Sequence, residues 1–478
     1  MTPDEFRRAG HELIDWIADY RERVTRAEFP VMARTEPGQL RAALPKHPPQ
    51  DPESFDAVRR DLDALILPAC THWQDPRFHG YFPSNGLPAA VLGDLVSTGL
   101  GQLGLNWQAS PALTELEEVC LDWWRQMLGL SERWSGVIQD TASTATFVAL
   151  ACARERASGF GAVAGGLQAQ PAPLAIYTSS QAHSSVEKAA LLAGFGRENV
   201  RAVPVDENFD LRADALVQAI AADRAAGRIP CAIVATCGTT ATTAFDPLTA
   251  IAAVAARENV WLHVDAAMAG SAMIVPECRE LWAGIEGADS LVVNPHKWLG
   301  VSFDCSTYFV RDPQFLVRVM STNPSYLQTA ADGQVKNYRD WGIPLGRRMR
   351  ALKLWFVIRD QGVSGLQARI RRDLGHARWL AEQVARAPGW KILAPVRLQT
   401  LVLRHEPAGL AAAAVDAHTR AWAQAINDSG EAYLTPTLIT ERWAVRVSFG
   451  AAATEHEHVV DLWRLIREKT AGRPGAGS

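Results

Sequence analysis

The stretch LVVNPHKWLG (residues 291–300) places a lysine just beyond an apolar run that a proline interrupts. The run predicts a buried strand that breaks at Pro295, with Lys297 directly past its end. Keeping a lysine of ordinary pKa neutral at pH 7 costs about 4.6 kcal/mol. Covalent attachment to a carbonyl cofactor removes this cost and is one of the few uses that suit a lysine in an apolar setting. Taken alone, Lys297 is more often a surface lysine whose amine reaches water.

A carboxylate ends another apolar run 32 residues earlier. This residue, Asp265, lies in HVDAAMAG (263–270), and its separation from Lys297 is the length of one strand–helix–strand unit. Both side chains are therefore expected to reach one cleft. The protonated ring nitrogen of pyridoxal phosphate, at about 2.8 Å, is a partner worth roughly 6 kcal/mol to a buried carboxylate at an effective dielectric of about 20. In isolation, Asp265 can also cap a helix or pair with a basic residue.

Two further segments supply groups for the rest of such a cofactor. QDTASTATFVALACARERA (139–157) puts Thr141 and Ser143 before a helical pattern, where hydroxyls and free N–H groups face an anion. QAHSSVEKAALLAGFG (181–196) puts His183 after the apolar run LAIYTS (174–179), at the carboxyl edge of the same predicted sheet. The histidine can stack on a flat ring or make a local hydrogen bond, and the two hydroxyls can simply cap their helix.

Composition limits the partners and the compartment. The 478 residues are 48% hydrophobic and 21% charged, with a net charge of −4 and a pI near 6.3, so two or three domains and no nucleic-acid partner are expected. The seven cysteines form no CxxC pair, which favours reduced thiols in the cytoplasm and no metal site. No run of about 18 apolar residues and no leader-like start occurs, so a membrane partner and secretion are not expected.

The order of patterns predicts an α/β fold. Helical spacing covers residues 3–27 and about 55–67, with a proline-rich arm between them. From about 115 to 310, short apolar runs alternate with helical stretches, which is typical of a mostly parallel central sheet covered by helices. Besides 174–179, the predicted strands of this region are CAIVATCG (231–238), VWLHVDAA (260–267), SLVVNP (290–295) and CSTYFV (305–310).

The remainder predicts a smaller C-terminal part. A helix is expected over 345–362, further helices follow, and RWAVRVSFG (442–450) predicts a strand. The predicted division is an N-terminal helical segment (1–84), a large cofactor-binding domain (85–350) and a small α+β C-terminal domain (351–478).

These residues, in this order, resemble the group II pyridoxal phosphate-dependent decarboxylases, specifically the aromatic L-amino-acid decarboxylases. The resemblance covers nearly the whole chain, and NPHKW together with HVDAA at this spacing is its most specific feature. Other matching segments are FHGYFPSNGLP (78–88), NWQASPALTELE (106–117), AHSSVEKA (182–189) and DWGIPLGRR (340–348). The resemblance implies the fold-type I, aspartate-aminotransferase-like architecture with pyridoxal 5'-phosphate as cofactor. It also implies a homodimer in which the N-terminal segments wrap around the partner subunit.

The resemblance implies roles for individual residues. Lys297 becomes the lysine joined covalently to the cofactor, Asp265 the partner of the pyridine nitrogen, and His183 the histidine stacked on the ring. Tyr326, in the loop 322–341, matches the tyrosine whose phenol delivers a proton to the substrate's α carbon after carbon dioxide leaves. Further matches at the cofactor are Thr141, Ala142, Ser143, Thr240, Ala267, Asn294 and His296.

The resemblance also marks the pocket for the substrate side chain, an apolar slot suited to an aromatic ring. Leu105 and Ser84 are smaller than the aromatic residue and the threonine of the animal enzymes. Met268 replaces a usual tyrosine, and Thr141 stands where serine is common. The matching positions are Trp73, Tyr81, Phe82, Pro83, Ser84, Leu103, Leu105 and Gly346.

Gly346 bears most directly on substrate choice. It matches a position where glycine accompanies indole substrates and serine accompanies phenols in plant relatives. The smaller walls imply room for indole, so tryptophan or 5-hydroxytryptophan is expected to be preferred over tyrosine or dihydroxyphenylalanine.

Three functions remain open from the sequence. The first is a lyase that releases carbon dioxide and an amine. The second keeps the cofactor but consumes oxygen and releases an aldehyde, which related enzymes do with phenylalanine at the position of Tyr326. The third is a catalytically silent cofactor-binding protein, which the presence of Lys297, Asp265, His183 and Tyr326 together disfavours.

Overall fold

The alternating pattern folds as a seven-stranded sheet in the computed structural model, which describes residues 1–82, 84–322 and 329–471. Its strands are β1 (Ser135–Gln139), β2 (Leu174–Ser179), β3 (Val200–Val203), β4 (Ile229–Thr236), β5 (Trp261–Asp265), β6 (Ser290–Val293) and β7 (Ser306–Val310). They lie in the order β1-β7-β6-β5-β4-β2-β3, and among them only β7 runs antiparallel to its neighbours. This is the mostly parallel central sheet that the sequence predicted.

Continuous apolar runs explain why these strands lie at the centre of the sheet. Every residue of β2, β5, β6 and β7 is buried. Strands that are buried on both faces are typical of parallel sheets with helices on each side. The helices along this part of the chain are α4 (Pro88–Leu100), α5 (Pro111–Leu128), α6 (Ala142–Ser158), α7 (Gly161–Gly165), α8 (Ser185–Leu192), α9 (Ala213–Ala225), α10 (Leu248–Glu258), α11 (Pro313–Met320) and α12 (Ala351–Arg386).

The chain divides into two compact units. The unit with the large sheet comprises Ser84–Ala377 and Ala394–Leu401, and the other comprises Met1–Pro83, Arg378–Leu393 and Val402–Ser478. The predicted division at 84/85 and 350/351 stays a prediction.

The unit that contains both chain ends is built from helices and a smaller sheet. Its helix α1 begins with a capping box, in which Thr2 and Glu5 satisfy each other's backbone N–H groups. The helices are α1 (Pro3–Thr25), α2 (Gln39–Ala43), α3 (Phe55–Asp61), α13 (Ala412–Ser429) and α14 (His456–Ala471). The small sheet has the order β10-β11-β9-β8, with β8 (Trp390–Ile392), β9 (Thr400–His405), β10 (Thr435–Ile439) and β11 (Arg442–Ser448).

The helix predicted over 345–362 begins later than expected. Residues 345–350 are not helical, and α12 starts at Ala351. The reason is a pairing with the segment after α4: Leu103 forms a β-bridge with Arg348, and the N–H of Gly104 donates to the carbonyl of Arg347 at 2.8 Å. The helix itself continues to Arg386, with a break at Gly362, where φ is +62°.

Within the described ranges, no helix is both long enough and apolar enough to cross a membrane.

Candidate active site

Three neighbouring strands end side by side at one edge of the large sheet. Thr236 of β4 pairs with Asp265 of β5, and Asp265 in turn lies opposite β6. Backbone hydrogen bonds continue beyond the strands, from the N–H of Cys237 to the carbonyl of Asp265 (2.9 Å) and from the N–H of Asn294 to the carbonyl of Ala267 (2.8 Å). Ligands of α/β sheets bind beyond the carboxyl ends of the strands, which makes this edge the candidate site.

Asp265 is the last residue of β5 and is only 5% exposed. Its Oδ1 accepts a hydrogen bond from the backbone N–H of Ala267 at 3.0 Å, which fixes the carboxylate against the turn that follows the strand. A buried carboxylate is costly without a cationic or hydrogen-bonding partner. The position therefore suits a carboxylate that holds a protonated group of a ligand.

Lys297 lies in a single π-helical turn, Pro295–Leu299, directly after β6. Its backbone departs from helical geometry, with φ −99° and ψ −106°. In the fully described stretch from Leu291 to Gly300, Lys297 is the one residue that is partly exposed, and all the others are buried. The lysine side chain is thus presented from a tightly packed turn, as a nucleophile in a cleft requires.

His183 lies on the exposed turn between β2 and α8. Partial burial of the imidazole lowers the pKa of His183, the charge of Asp265 opposes this shift, and the charge of Lys297 adds to it. Its Nδ1 accepts a hydrogen bond from the backbone N–H of Ser185 at 3.2 Å and lies 2.8 Å from the Ser185 hydroxyl. The imidazole is therefore held in a fixed orientation and favours its neutral form, which suits a flat stacking partner.

His296, next to the lysine, is held neutral. Its Nδ1 accepts from the backbone N–H of Cys305 at 2.8 Å, so the proton of the neutral ring lies on Nε2. Burial, followed by the positive charge of Lys297, lowers the pKa of His296 to about 3. The carbonyl of the same residue accepts from the hydroxyl of Ser84 at 2.8 Å. These bonds fix one side of the lysine turn.

The start of α6 has free N–H groups and hydroxyls at the predicted phosphate positions. Thr141 is the N-cap, and its Oγ1 accepts from the N–H of Thr144 at 3.4 Å. The first N–H groups of a helix, here at Ala142 and Ser143, have no acceptor within the helix and lie at the positive end of its dipole. Ser143 is exposed and Ala142 is buried, so the hydroxyl and the N–H groups can face a phosphate.

The remaining predicted cofactor positions lie on the turns around this edge. Asn294 is 3% exposed, and its Oδ1 accepts from the Ser306 hydroxyl at 2.6 Å, which leaves its amide N–H₂ as donor.

Thr240 is exposed in the turn after β4. Gly238 shapes that turn with φ +91°, where a Cβ would lie 2.4 Å from the Cβ of Ala269. Ala267 is buried beside Asp265.

The predicted substrate-side residues fall in both compact units. In the unit with the chain ends, the rings of Trp73 and Tyr81 stack with centroids 5.6 Å apart at 14°, and the guanidinium of Arg446 lies 4.1 Å from the ring centroid of Phe82. In the other unit lie Ser84, Leu103, Leu105 and Gly346. Leu103 is 58% exposed, and a Cβ added at Gly346 would meet no atom within 4 Å.

Two predicted residues, Pro83 and Tyr326, lie outside the described residues.

Asp246 is a buried group at this edge that the sequence reasoning missed. Its carboxylate accepts from the backbone N–H groups of Thr236 (2.7 Å) and Leu211 (2.9 Å), which fixes the end of β4 beside Asp265. Burial raises the pKa of Asp246 to about 7, and the two N–H groups act in the opposite direction. An isolated aspartate after an apolar residue in AFDP carries no pattern that predicts this role.

The fold and the site define a fold-type I pyridoxal phosphate enzyme. The family described as "Pyridoxal-dependent decarboxylase conserved domain" matches residues 37–405. Phenylacetaldehyde synthase of Arabidopsis thaliana is 39% identical over 98% of this chain and 97% of its own length. Aromatic-L-amino-acid decarboxylase of Rattus norvegicus is 40% identical over 98% of both chains. A crystal structure of Oryza sativa TDC with PLP and tryptamine superposes with a TM-score of 0.95 at 37% identity, covering 99% of both chains.

The chain belongs to the pyridoxal phosphate-dependent decarboxylases, and its cofactor is pyridoxal 5'-phosphate. The residues present fit this group. An acidic side chain buried at a strand end, a partly exposed lysine among buried neighbours and a hydroxyl-capped helix start offer partners for a ring nitrogen, an aldehyde and a phosphate, respectively.

Proposed function

We propose that this protein decarboxylates an aromatic L-amino acid to the corresponding arylethylamine and carbon dioxide. The observation that carries the proposal is the placement of Asp265 at the end of β5 and of Lys297 in the turn directly after β6, because these two strands pair with each other. A lysine and an acid that act on one bound ring need to lie close together. Asp265 and Lys297 meet this requirement, because β5 and β6 are parallel neighbours and end at the same edge of the sheet.

Lys297, Asp265 and His183 each have a proposed role. Lys297 would hold the cofactor through its side-chain amine, at the cofactor's aldehyde. Asp265 would pair with the protonated ring nitrogen, and His183 would stack on the ring. When bound, the protonated cofactor withdraws electrons from the bond that breaks. Thr141, Ala142, Ser143 and Asn294 would hold the phosphate, and Thr240, Ala267 and His296 would contact the rest of the group.

We further propose that tryptophan-like substrates are favoured. A Cβ at Gly346 would meet no atom within 4 Å, and Leu105 and Ser84 are smaller than the aromatic residue and the threonine of the animal enzymes, so a pocket that these residues line would have room for a bicyclic ring. The Oryza sativa TDC structure, which contains tryptamine, supports this preference. Tyrosine or dihydroxyphenylalanine is the alternative substrate, and tyrosine decarboxylases from Petroselinum crispum at 38% identity support that alternative.

A second candidate function is the oxygen-dependent aldehyde synthase, because the phenylacetaldehyde synthase of Arabidopsis thaliana is a close relative. The choice between these outcomes depends on which acid reaches the α carbon after carbon dioxide leaves. Tyr326 is proposed to deliver that proton, which favours the amine product.

The decisive experiment incubates the cofactor-loaded protein with tryptophan, 5-hydroxytryptophan, tyrosine and dihydroxyphenylalanine, and identifies the products by mass. Amine without stoichiometric peroxide is expected, with a higher kcat/KM on tryptophan than on tyrosine. Lys297→Ala is expected to abolish turnover, while Lys188→Ala, at an exposed site on α8, keeps it. Retained turnover in the Lys297 variant would contradict the proposal, and aldehyde with peroxide would support the second candidate.

We propose that the protein acts as a cytoplasmic homodimer. Helix α4 exposes several large apolar side chains, which is unusual for a surface that remains in water: Leu92, Leu95, Val96 and Leu100 are 40–54% exposed. A second copy of the chain, with its N-terminal segment wrapped around the first, would cover such a surface. The seven cysteines are free thiols, in keeping with a reducing compartment.

A further inference from the structure

The residue after the lysine is bonded to α12 through both its ring and its backbone. Trp298 is 2% exposed. Its indole Nε1 donates to the Oδ2 of Asp373 at 2.9 Å, and its carbonyl accepts from the Nη2 of Arg369 at 2.6 Å. Arg369 and Asp373 are four residues apart on one helix, so they face the same side. The lysine turn is therefore held by two contacts from a single rigid element.

The charged side chains that make these two contacts, Arg369 and Asp373, are costly to bury. Burial lowers the pKa of Arg369 and raises that of Asp373, although each charge favours the other. Arg372 also donates to Asp373, at 3.1 Å. Among the described residues, Nε and Nη1 of Arg369 have no hydrogen-bond partner. Apolar side chains of similar size would hold a core here at lower cost, so stability alone does not explain the arrangement.

The turn that they hold has an uncommon backbone. Lys297 has φ −99° and ψ −106°, between the favoured regions. Such conformations persist where the surroundings determine them, and they cluster at functional sites. The peptide that carries the Lys297 carbonyl continues into Trp298, so fixing Trp298 also fixes the direction in which the lysine side chain leaves the turn.

We propose that Arg369 and Asp373 are positioning residues that aim the Lys297 side chain at the cofactor through Trp298. The inference rests on the proposed role of Lys297. Loss of either contact lets the turn relax, so the amine meets the cofactor's aldehyde in a poorer geometry. The consequence is weaker cofactor binding and a changed pKa of the lysine–cofactor linkage.

Two variants separate this role from packing. Trp298→Phe keeps a flat ring but removes the Nε1 donor, and Arg369→Met removes the donor to the carbonyl while filling the buried space with an apolar chain. The exposed Arg371→Gln on the same helix is the control, because Arg371 pairs with Glu277 and has no contact with Trp298 among the described hydrogen bonds. Three quantities are measured: the pyridoxal phosphate dissociation constant, the pKa of the visible absorbance band of the linked cofactor, and the melting temperature of the apoprotein.

Both test variants are expected to weaken cofactor binding about tenfold and to shift the linkage pKa by at least about half a unit. Arg369→Met is also expected to lower the apoprotein melting temperature, because buried Asp373 loses a neighbouring positive charge, and Arg371→Gln is expected to match the wild type throughout. An unchanged linkage pKa and cofactor affinity in both variants would overturn the inference, whatever their stability. Lys297→Ala distinguishes this failure from failure of the proposed function. If Lys297 is not the residue that holds the cofactor, Lys297→Ala still forms the linkage band.

Discussion

At the scale of single residues, the chemistry of the site made its main members predictable, whereas their supports were not. Few side chains other than lysine and aspartate fit a carbonyl and a ring nitrogen, so Lys297 and Asp265 stand out in the sequence. The groups that orient the site come from distant segments. Ser306 on β7 orients Asn294, and Cys305 fixes the tautomer of His296. No local pattern marks such partners, because only the folded sheet brings them together.

Gly346→Ser tests the substrate preference. No atom lies within 4 Å of the position that a Cβ would occupy, so the fold is expected to accept serine unchanged. The added hydroxymethyl group takes space from a bicyclic ring, and a clash of this size is worth about 1–3 kcal/mol. The ratio of kcat/KM for tryptophan to that for tyrosine is therefore expected to fall about tenfold or more.

Gly375→Ser serves as the matched control, because its Cβ position on α12 is equally open. It is expected to leave both substrates unaffected. An unchanged ratio in Gly346→Ser, or the same fall in both variants, would show that Gly346 does not border the substrate ring.

At the scale of elements, continuous apolar runs were reliable signals, and short or mixed runs were not. The prediction of β2 over 174–179 is confirmed to the residue. β1 and β3 were not predicted, since SGVIQ contains only two large apolar residues and VRAV is only four residues long and interrupted by an arginine. The start of α12 was wrong by six residues because pairing with residues 103–104 overrides the helical pattern.

The same strands make stability depend on pH through two buried histidines. His263 in β5 is fully buried, with Nδ1 2.9 Å from the Ser290 hydroxyl, and burial lowers its pKa to about 4. The pKa of His296 is lowered to about 3. In the unfolded chain both titrate near 6.5, so between about pH 6.5 and pH 4 the unfolded state binds more protons. The free energy of unfolding is therefore expected to fall as pH falls, by up to about 2.7 kcal/mol per pH unit from this pair.

Denaturant unfolding of the apoprotein between pH 4.5 and 6.5 measures this slope. His263→Asn keeps an oxygen near Nδ1 as acceptor for the Ser290 hydroxyl but cannot titrate. Its slope is expected to be smaller by about one proton, or about 1.4 kcal/mol per pH unit. Equal slopes in the two proteins would mean that His263 is not held neutral by the fold.

At the scale of the whole molecule, the architecture follows from the alternation of strands and helices, but the grouping of segments does not. The unit that contains the chain ends combines residues from the first 83 positions with residues beyond 378. Sequence patterns predict contiguous parts, since long-range packing leaves no periodic signal. The substrate-side positions Trp73 and Gly346 are for this reason identified only by resemblance and stay predictions.

The central claim, that Lys297 carries the cofactor at a site completed by Asp265, is tested most directly by reductive trapping. The cofactor-loaded protein is treated with borohydride and digested, and the peptides are analysed by mass. One phosphopyridoxyl group per chain is expected on the peptide containing Lys297, and Asp265→Ala is expected to lose most of its cofactor binding. Attachment at another lysine, or full cofactor binding in Asp265→Ala, would contradict it.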